Sequence, residues 1–424
     1  MGFKSTIFWN GISQFGQTGV QFLSTIILAR ILTPDDFGII GMVNIFIIIS
    51  QVMVDSEMGG ALLRKKEVSI VDYSTLFYYN LGISILIYGI LFFLAPLISV
   101  LYNRPAITSI IRILGICIVI HAFRVVQKIM IFRDLKFRKF ATINLSSGLL
   151  SLFATIILAK YGWGYWALVA QQIITATLNV LFLEINNKFI PVLKFSKDSF
   201  KYQFKFGIHL LGADLILSLA NNISTNIVAK VTTLTTTGLY TQANKFTTFT
   251  QTFVGTIMNQ SIFPFLAKIE DKNKLDIIYS KLYLWSCIGI TLLSLFIICF
   301  PEFIINIILG KEWLKASFML RILSLSSLPL LLQVLGKNIL KVLNCTNLVL
   351  RLSIIKSLIL IGSLLFCAPF GLNYILWGLV ISQVLATSVW IVAVDRKIGS
   401  SKYVKLTLLY LFMGLMFLTL VTIL

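Results

Sequence analysis

Apolar residues run through this chain in stretches of about twenty, the length that crosses a hydrocarbon core of ~30 Å as a helix. They fall near 7–30, 37–61, 76–100, 106–127, 141–160 and 165–185, then near 206–229, 238–266, 279–300, 316–336, 351–369 and 373–394, with a last one at 404–424. A helix bonds its own backbone N–H and C=O groups, which lipid requires of any spanning segment. The pattern predicts thirteen spans and an all-α polytopic membrane protein. The first stretch carries Asn10, Gln14, Gln17 and Gln21 and no small-residue cleavage site, so it reads as a permanent helix with a polar face rather than a leader.

The second set of spans repeats the first. At an offset of 200, Ser24, Thr25, Ile27, Ala29, Thr33 and Gly38 meet Ser224, Thr225, Ile227, Ala229, Thr233 and Gly238. Further on, at an offset of 209, Arg112-Ile113-Leu114 meets Arg321-Ile322-Leu323, Lys128 meets Lys337, and Gly162 and Tyr165 meet Gly371 and Tyr374. Leu and Ile matches follow from membrane composition; an intramembrane arginine and two turn positions in register do not. Six helices per half is even, so the halves are parallel repeats, a plan that places a substrate site in a central cavity between lobes. The expected division is a six-helix lobe at 1–185, a cytoplasmic linker at 186–205, a second six-helix lobe at 206–395, and an additional helix at 396–424.

Composition agrees: 58% of residues are hydrophobic and 12% charged, about half the charged share of a soluble domain. The net charge of +20 does not point to nucleic acid, because it is not gathered on one face. With the amino terminus placed in the cytoplasm, alternate connections receive 27 of the 36 Lys and Arg, the positive-inside signature. The five cysteines show no metal spacing, and two histidines, His121 and His209, do not make an all-histidine site. No cofactor is expected. Lys128–Lys139, with Phe132, Phe137 and Phe140 interleaved, reads as an amphipathic inner-leaflet segment. Pro301–Trp313 reads as a segment along the outer interface.

Polar residues inside the spans are costly, so their alignment carries information. Asn10, Gln14, Gln17, Gln21 and Ser24 form one face; Asp214, Ser218, Asn221, Asn222 and Thr225 form another; Lys245, Thr248, Thr252, Thr256 and Asn259 a third, with Gln242, Gln251 and Gln260 alongside. Asn44, Gln51 and Asp55 are a thinner version. Interhelical hydrogen bonding alone accounts for an isolated amide; three long stripes favour a hydrated cavity. Lys245, Arg112, Arg321 and Asp214 fall within spans, while Arg30 and Lys230 sit at helix ends. Cations in such a cavity suit a phosphate, and amides suit sugar hydroxyls. The candidate substrate-binding set is Arg30, Lys245, Arg112, Arg321, Gln14, Gln17, Asn221 and Gln242, with Asp214 as candidate ion-coupling carboxylate. Structural bonding to carbonyls or acids is the competing account for the two arginines.

The stretch Leu28-Ala29-Arg30-Ile31-Leu32-Thr33-Pro34-Asp35-Asp36-Phe37-Gly38 resembles the first interhelical junction of the polysaccharide-transporter (Wzx-type) branch of the multidrug/oligosaccharidyl-lipid/polysaccharide exporters. The pattern there reads A-R-x-L-x-P-x-D-F/Y-G, and a diverged second copy lies at Ala229–Gly238 without the proline and acid pair. Proline ends one helix, and Thr33 or Asp35 can cap the next. The resemblance covers roughly residues 1–395 and implies twelve or fourteen helices rather than thirteen. It also implies a flippase that carries undecaprenyl-pyrophosphate-linked oligosaccharide from the inner to the outer leaflet by alternating access, with polysaccharide polymerase and co-polymerase proteins as partners. Two other functions compete: a polytopic glycan polymerase or ligase, and a multidrug or cation antiporter on the same fold. The short outer connections, the longest about fifteen residues, speak against the enzyme.

Overall fold

The computed structural model describes residues 3–55, 58–257, 266, 271–343 and 345–398. The span expected at 404–424 lies outside them. Sixteen α-helices are described: α1 Phe3–Ala29, α2 Pro34–Asp55, α3 Met58–Arg64, α4 Ile70–Leu101, α5 Ala106–Leu114, α6 Ile116–Arg133, α7 Phe137–Lys160, α8 Tyr165–Asn186, α9 Lys197–Val231, α10 Leu234–Ile257, α11 Lys272–Cys299, α12 Pro301–Ile308, α13 Ala316–Ser324, α14 Ser327–Val342, α15 Thr346–Cys367 and α16 Leu372–Ile398. There is no strand among the described residues.

Nine of these rods, two of them interrupted within the described residues, are long and apolar enough to cross a membrane; α1, α9 and α10 are long helices with more polar faces. Outward faces are apolar, as lipid demands. On α4, Ile85, Leu86, Ile90, Phe93, Leu97 and Val100 are exposed, Phe93 by 80%. A soluble protein rarely exposes so large a contiguous apolar face.

Contacts divide the chain into two units, Met1–Lys230 and Val231–Leu424. The repeat begins its second set near residue 206, yet α9 groups with the first unit. The reason lies at both of its ends. Ser199 and Gln203 bond to Asp72 at the start of α4, and Asn226 accepts a 2.8 Å bond from the Tyr102 hydroxyl at the end of α4. With 35 residues, α9 is about 52 Å long, well beyond a ~30 Å core. Its first turns therefore extend past the membrane, and half of the connection expected at 186–205 is helix.

The repeat recurs in local structure. Thr33 opens α2 with a capping box: its hydroxyl and amide both bond the Asp36 carboxylate, at 2.8 and 3.0 Å, and the Asp36 amide returns to the Thr33 hydroxyl. Thr33, not Asp35, is the cap. Thr233 opens α10 in the same way, with the Thr236 amide and hydroxyl as its partners at 3.2 and 2.8 Å. The expected single spans at 106–127 and 316–336 are each broken, into α5–α6 and α13–α14. The break at Gly115 is a point of close packing, where an added Cβ would lie 2.6 Å from the Tyr88 ring. Gly162 and Gly371 both take positive φ, 82° and 99°, which explains why the repeat keeps glycine there.

One expectation changes. Lys128–Lys139 is not one amphipathic segment. α6 runs on to Arg133, and Leu135 at φ 56° turns the chain into α7, with the Lys136 amide bonded to the Ile131 carbonyl at 3.0 Å. Arg124 and Lys128 consequently lie on a helix rather than in a loop. Pro301–Trp313 is a short helix and a 3-10 turn whose Ile305 and Trp313 are fully buried, while Phe303 and Ile307 face outward. Trp313 fastens this segment into the second unit.

The candidate functional site: polar interiors of the two units

In the first unit, side chains from α1, α2, α6, α7 and α8 form a polar seam. Gln171 donates to Ser24 at 2.7 Å and Gln172 to Asn44 at 3.2 Å. Thr175 joins the Ser151 hydroxyl and the Gln171 carbonyl, both at 2.7 Å. Arg124 donates to Asn144 at 3.4 Å and stands 5.7 Å from the Phe140 ring centre. Asp55 at the end of α2, and His121 one turn before Arg124, fall within its electrostatic reach. Arg124 lies nine residues from the end of α6, about 13 Å along the helix. A guanidinium at that depth is made tolerable by the amide and the aromatic face beside it, with a carboxylate within electrostatic reach.

The second unit has a neutral counterpart. Gln333, offset by 209 from Arg124, is buried and donates to Thr387 at 2.8 Å, to Gln383 Oε1 at 3.2 Å and to the Gln383 carbonyl at 3.2 Å. Thr387 in turn bonds the Gln383 carbonyl at 2.7 Å. Both units thus carry a Gln and a Thr one turn apart on one helix, Gln171 and Thr175 on α8 facing α1 and α7, and Gln383 and Thr387 on α16 facing α14.

The nine candidates scatter differently. Arg30, just past α1, is exposed, as are Gln17 on α1 and Asn221 on α9. The Gln14 side chain lies outside the described residues, as do the side chains of Gln251, Thr252 and Thr256 and the whole of Asn259 and Gln260. Asp214 and Lys245 are half-buried, and Gln242 is fully buried with neither amide atom bonded among the described residues. Arg112 is held by α4: Nε donates to the Phe92 carbonyl at 3.4 Å, and the guanidinium lies 4.3 Å from the Phe92 ring centre. That is the structural bonding weighed against a ligand role. Arg321 is half-buried and its Nε has no partner among the described residues.

Sequence reasoning passed over Gln171, Gln172, Thr175, Asn144, Ser151, Gln333, Gln383 and Thr387. The four-residue spacing in Gln171–Thr175 and Gln383–Thr387 was the available signal, since it puts both polar groups on one helix face.

A polar seam threaded through a repeat of interrupted membrane helices narrows the possibilities, and comparison with known proteins decides among them. A family model described as "Polysaccharide biosynthesis protein" matches residues 27–318. The chain belongs to that family. Among its relatives, the lipopolysaccharide biosynthesis protein WzxC of Escherichia coli (strain K12) is 25% identical over 313 residues, 72% of this chain and 63% of WzxC. The succinoglycan biosynthesis transport protein ExoT of Rhizobium meliloti (strain 1021) is 22% identical, over 75% of this chain and 65% of ExoT. The teichuronic acid biosynthesis protein TuaB of Bacillus subtilis (strain 168) is 23% identical, over 75% and 66%. The matched region thus spans about two thirds or less of these relatives' own lengths.

In fold this family member is similar to the lipid II flippase MurJ in its inward closed conformation, with a TM-score of 0.71 at 15% identity, over 97% of this chain and 92% of MurJ. It is also similar to an inward-facing multidrug resistance MATE family transporter of the MOP superfamily, with a TM-score of 0.67 at 13% identity, over 90% and 94%. The polysaccharide biosynthesis family member is therefore an all-α, multi-pass membrane protein with the two-lobed MOP fold.

Proposed function

We propose that this protein is a flippase for saccharide intermediates carried on a polyprenyl pyrophosphate, moving them from the inner to the outer leaflet of the cytoplasmic membrane for surface polysaccharide assembly. The observation that carries the reading is a set of cationic and amide side chains inside the helical units of a polysaccharide biosynthesis family member. Arg124 in the first unit and Lys245 in the second are half-buried on long helices. Guanidinium and ammonium groups out of bulk water hold phosphate oxygens strongly, and Gln and Thr side chains match sugar hydroxyls. Arg30, Gln14, Gln17, Asn221, Gln242 and Arg321 are the further substrate-contact candidates, and Asp214 the candidate coupling carboxylate. Arg112, clasped by Phe92, is the weakest of the set. A substrate moves only if it or a coupled ion binds one access state better than the other.

The cationic Arg124 within the bonded seam favours an anionic cargo over the cations of a multidrug antiporter. The amino terminus lies in the cytoplasm in this reading, and a glycan polymerase would consume the product. The test is substitution at Lys245. Lys245→Met should abolish most export at normal membrane abundance, and Lys245→Arg should retain more. Normal export by Lys245→Met would refute the phosphate role; loss of both export and abundance would mark the residue as structural.

A further inference from the structure

The first unit carries a second basic feature, separate from the seam. Where α3 ends and α6 turns into α7, a cavity of about 580 Å³ is lined by Arg64, Lys65, Lys66 and Arg133 and by Leu63, Phe132, Leu135 and Phe137. Four cations and four apolar side chains share one wall, with no acid among the lining residues.

These cations are not equivalent. Arg133 is committed to structure: it donates to the carbonyls of Leu62, Lys65 and Lys66 at 2.7, 2.6 and 2.5 Å. In doing so it covers the partial negative charge at the end of α3, which would otherwise repel an anion. Lys65 is paired with Asp72 at 2.7 Å. Nearby Asp134 is occupied by Lys136 at 2.6 Å. Arg64, whose guanidinium stands 4.9 Å from the Phe206 ring centre, and exposed Lys66 are the two cations of the four engaged neither by an acid nor by carbonyls among the described residues.

Leu135 makes the second, independent observation. It takes φ 56°, a conformation favoured by Gly and Asn and costly for a branched apolar residue, and its side chain is 52% exposed at the cavity rim. Glycine would make the same turn without strain. A leucine held there with its side chain outward has a use if that side chain meets hydrocarbon. Leu63, 45% exposed, stands on the same wall.

From this geometry we infer that the cavity between the end of α3 and the α6–α7 turn binds the phosphate of an anionic membrane lipid, with Arg64 and Lys66 as the phosphate ligands and Leu63 and Leu135 against its chain. The site goes beyond the proposed transport path and uses none of its residues. Two lipids share the chemistry: a bulk anionic phospholipid and a polyprenyl phosphate. Both differ from free phosphate in having a chain.

The test is native mass spectrometry of the full-length protein with added phosphatidylglycerol, phosphatidylcholine, a long-chain polyprenyl phosphate or inorganic phosphate. One retained phosphatidylglycerol per protein is expected, and none of phosphatidylcholine. A basic residue near an anionic surface contributes about a fivefold gain in binding, so Arg64→Gln with Lys66→Gln should weaken retention roughly thirty-fold. Lys188→Gln with Lys194→Gln, an equal charge change on other exposed residues, should leave it intact. Leu135→Gly should weaken retention of the lipid while raising the resistance of the protein to unfolding. Tighter retention of polyprenyl phosphate than of phosphatidylglycerol would assign the site to the cargo class, and the reverse order to the bulk leaflet; either supports the site. Equal loss in both double variants would reduce the effect to diffuse surface charge and overturn it. Displacement by inorganic phosphate would overturn the lipid assignment. Normal export in the Arg64/Lys66 double variant would leave the transport reading untouched.

Discussion

Replacing Asp72 by Ala would remove the residue that ties α9 and the preceding connection to α4. Asp72 is 4% exposed. Its carboxylate accepts from the Ser69 amide at 2.9 Å and the Ser69 hydroxyl at 3.0 Å, from Lys65 at 2.7 Å, and from the Ser199 hydroxyl at 2.6 Å, across 127 residues of chain. Around it the Val192 amide donates to the Ser74 hydroxyl at 2.9 Å and the Ser196 amide to the Thr75 hydroxyl at 3.1 Å. Losing the capping box should cost about 1 kcal/mol. The charge-assisted bond to Ser199 is worth about 1.5–2 kcal/mol. The Lys65 side chain is 39% exposed, so its pairing adds about 0.5 kcal/mol or less. The expected loss is therefore about 3 kcal/mol, read from unfolding in mixed detergent micelles. A double-mutant cycle isolates the tie itself: Asp72→Ala and Ser199→Ala should couple by about 1.5 kcal/mol. Limited trypsin digestion should meanwhile cut faster at Lys188 and Lys194. Coupling below about 0.5 kcal/mol, the range of independent sites, would refute the argument that this bond anchors α9.

Gly162→Ala and Gly371→Ala meet no steric obstacle, since an added Cβ has nothing within 4 Å at either position. Their costs should be conformational only, about 1 kcal/mol at Gly162. At Gly371, whose φ 99° and ψ −177° lie in a region nearly closed to other residues, about 2–3 kcal/mol is expected; equal effects in thermal unfolding would contradict this. Single cysteines at Asn103 and Lys160 should label from outside intact cells, and ones at Lys66 and Lys197 only after permeabilisation; outside labelling at Lys66 would reverse the proposed orientation.

Much of the architecture was legible in the chain. A twenty-residue apolar run must form a helix in lipid, because no other local structure satisfies its backbone, so twelve of the thirteen expected spans correspond to described helical rods. The repeat was legible where residue type is forced by backbone geometry, at Thr33 and Thr233 and at Gly162 and Gly371. Breaks within spans were not. At Gly115 the interruption coincides with close packing against the Tyr88 ring from another helix, a contact that hydropathy along the sequence does not register.

The polar interior divides in the same way. Stripes of amides on single helices were visible from spacing, but which stripe meets which depends on helix packing. Gln171 and Ser24 lie 147 residues apart and bond at 2.7 Å. Arg112 and Arg124 look alike in sequence as cations near apolar runs; packing gives Arg112 to a phenylalanine and a carbonyl, and Arg124 to an asparagine within reach of a carboxylate. Sequence alone determined that the chain crosses the membrane repeatedly as two related sets of helices, because burial in lipid is a property of composition and length. Only the tertiary structure decided which groups surround each buried charge, because those are brought next to it from distant parts of the chain.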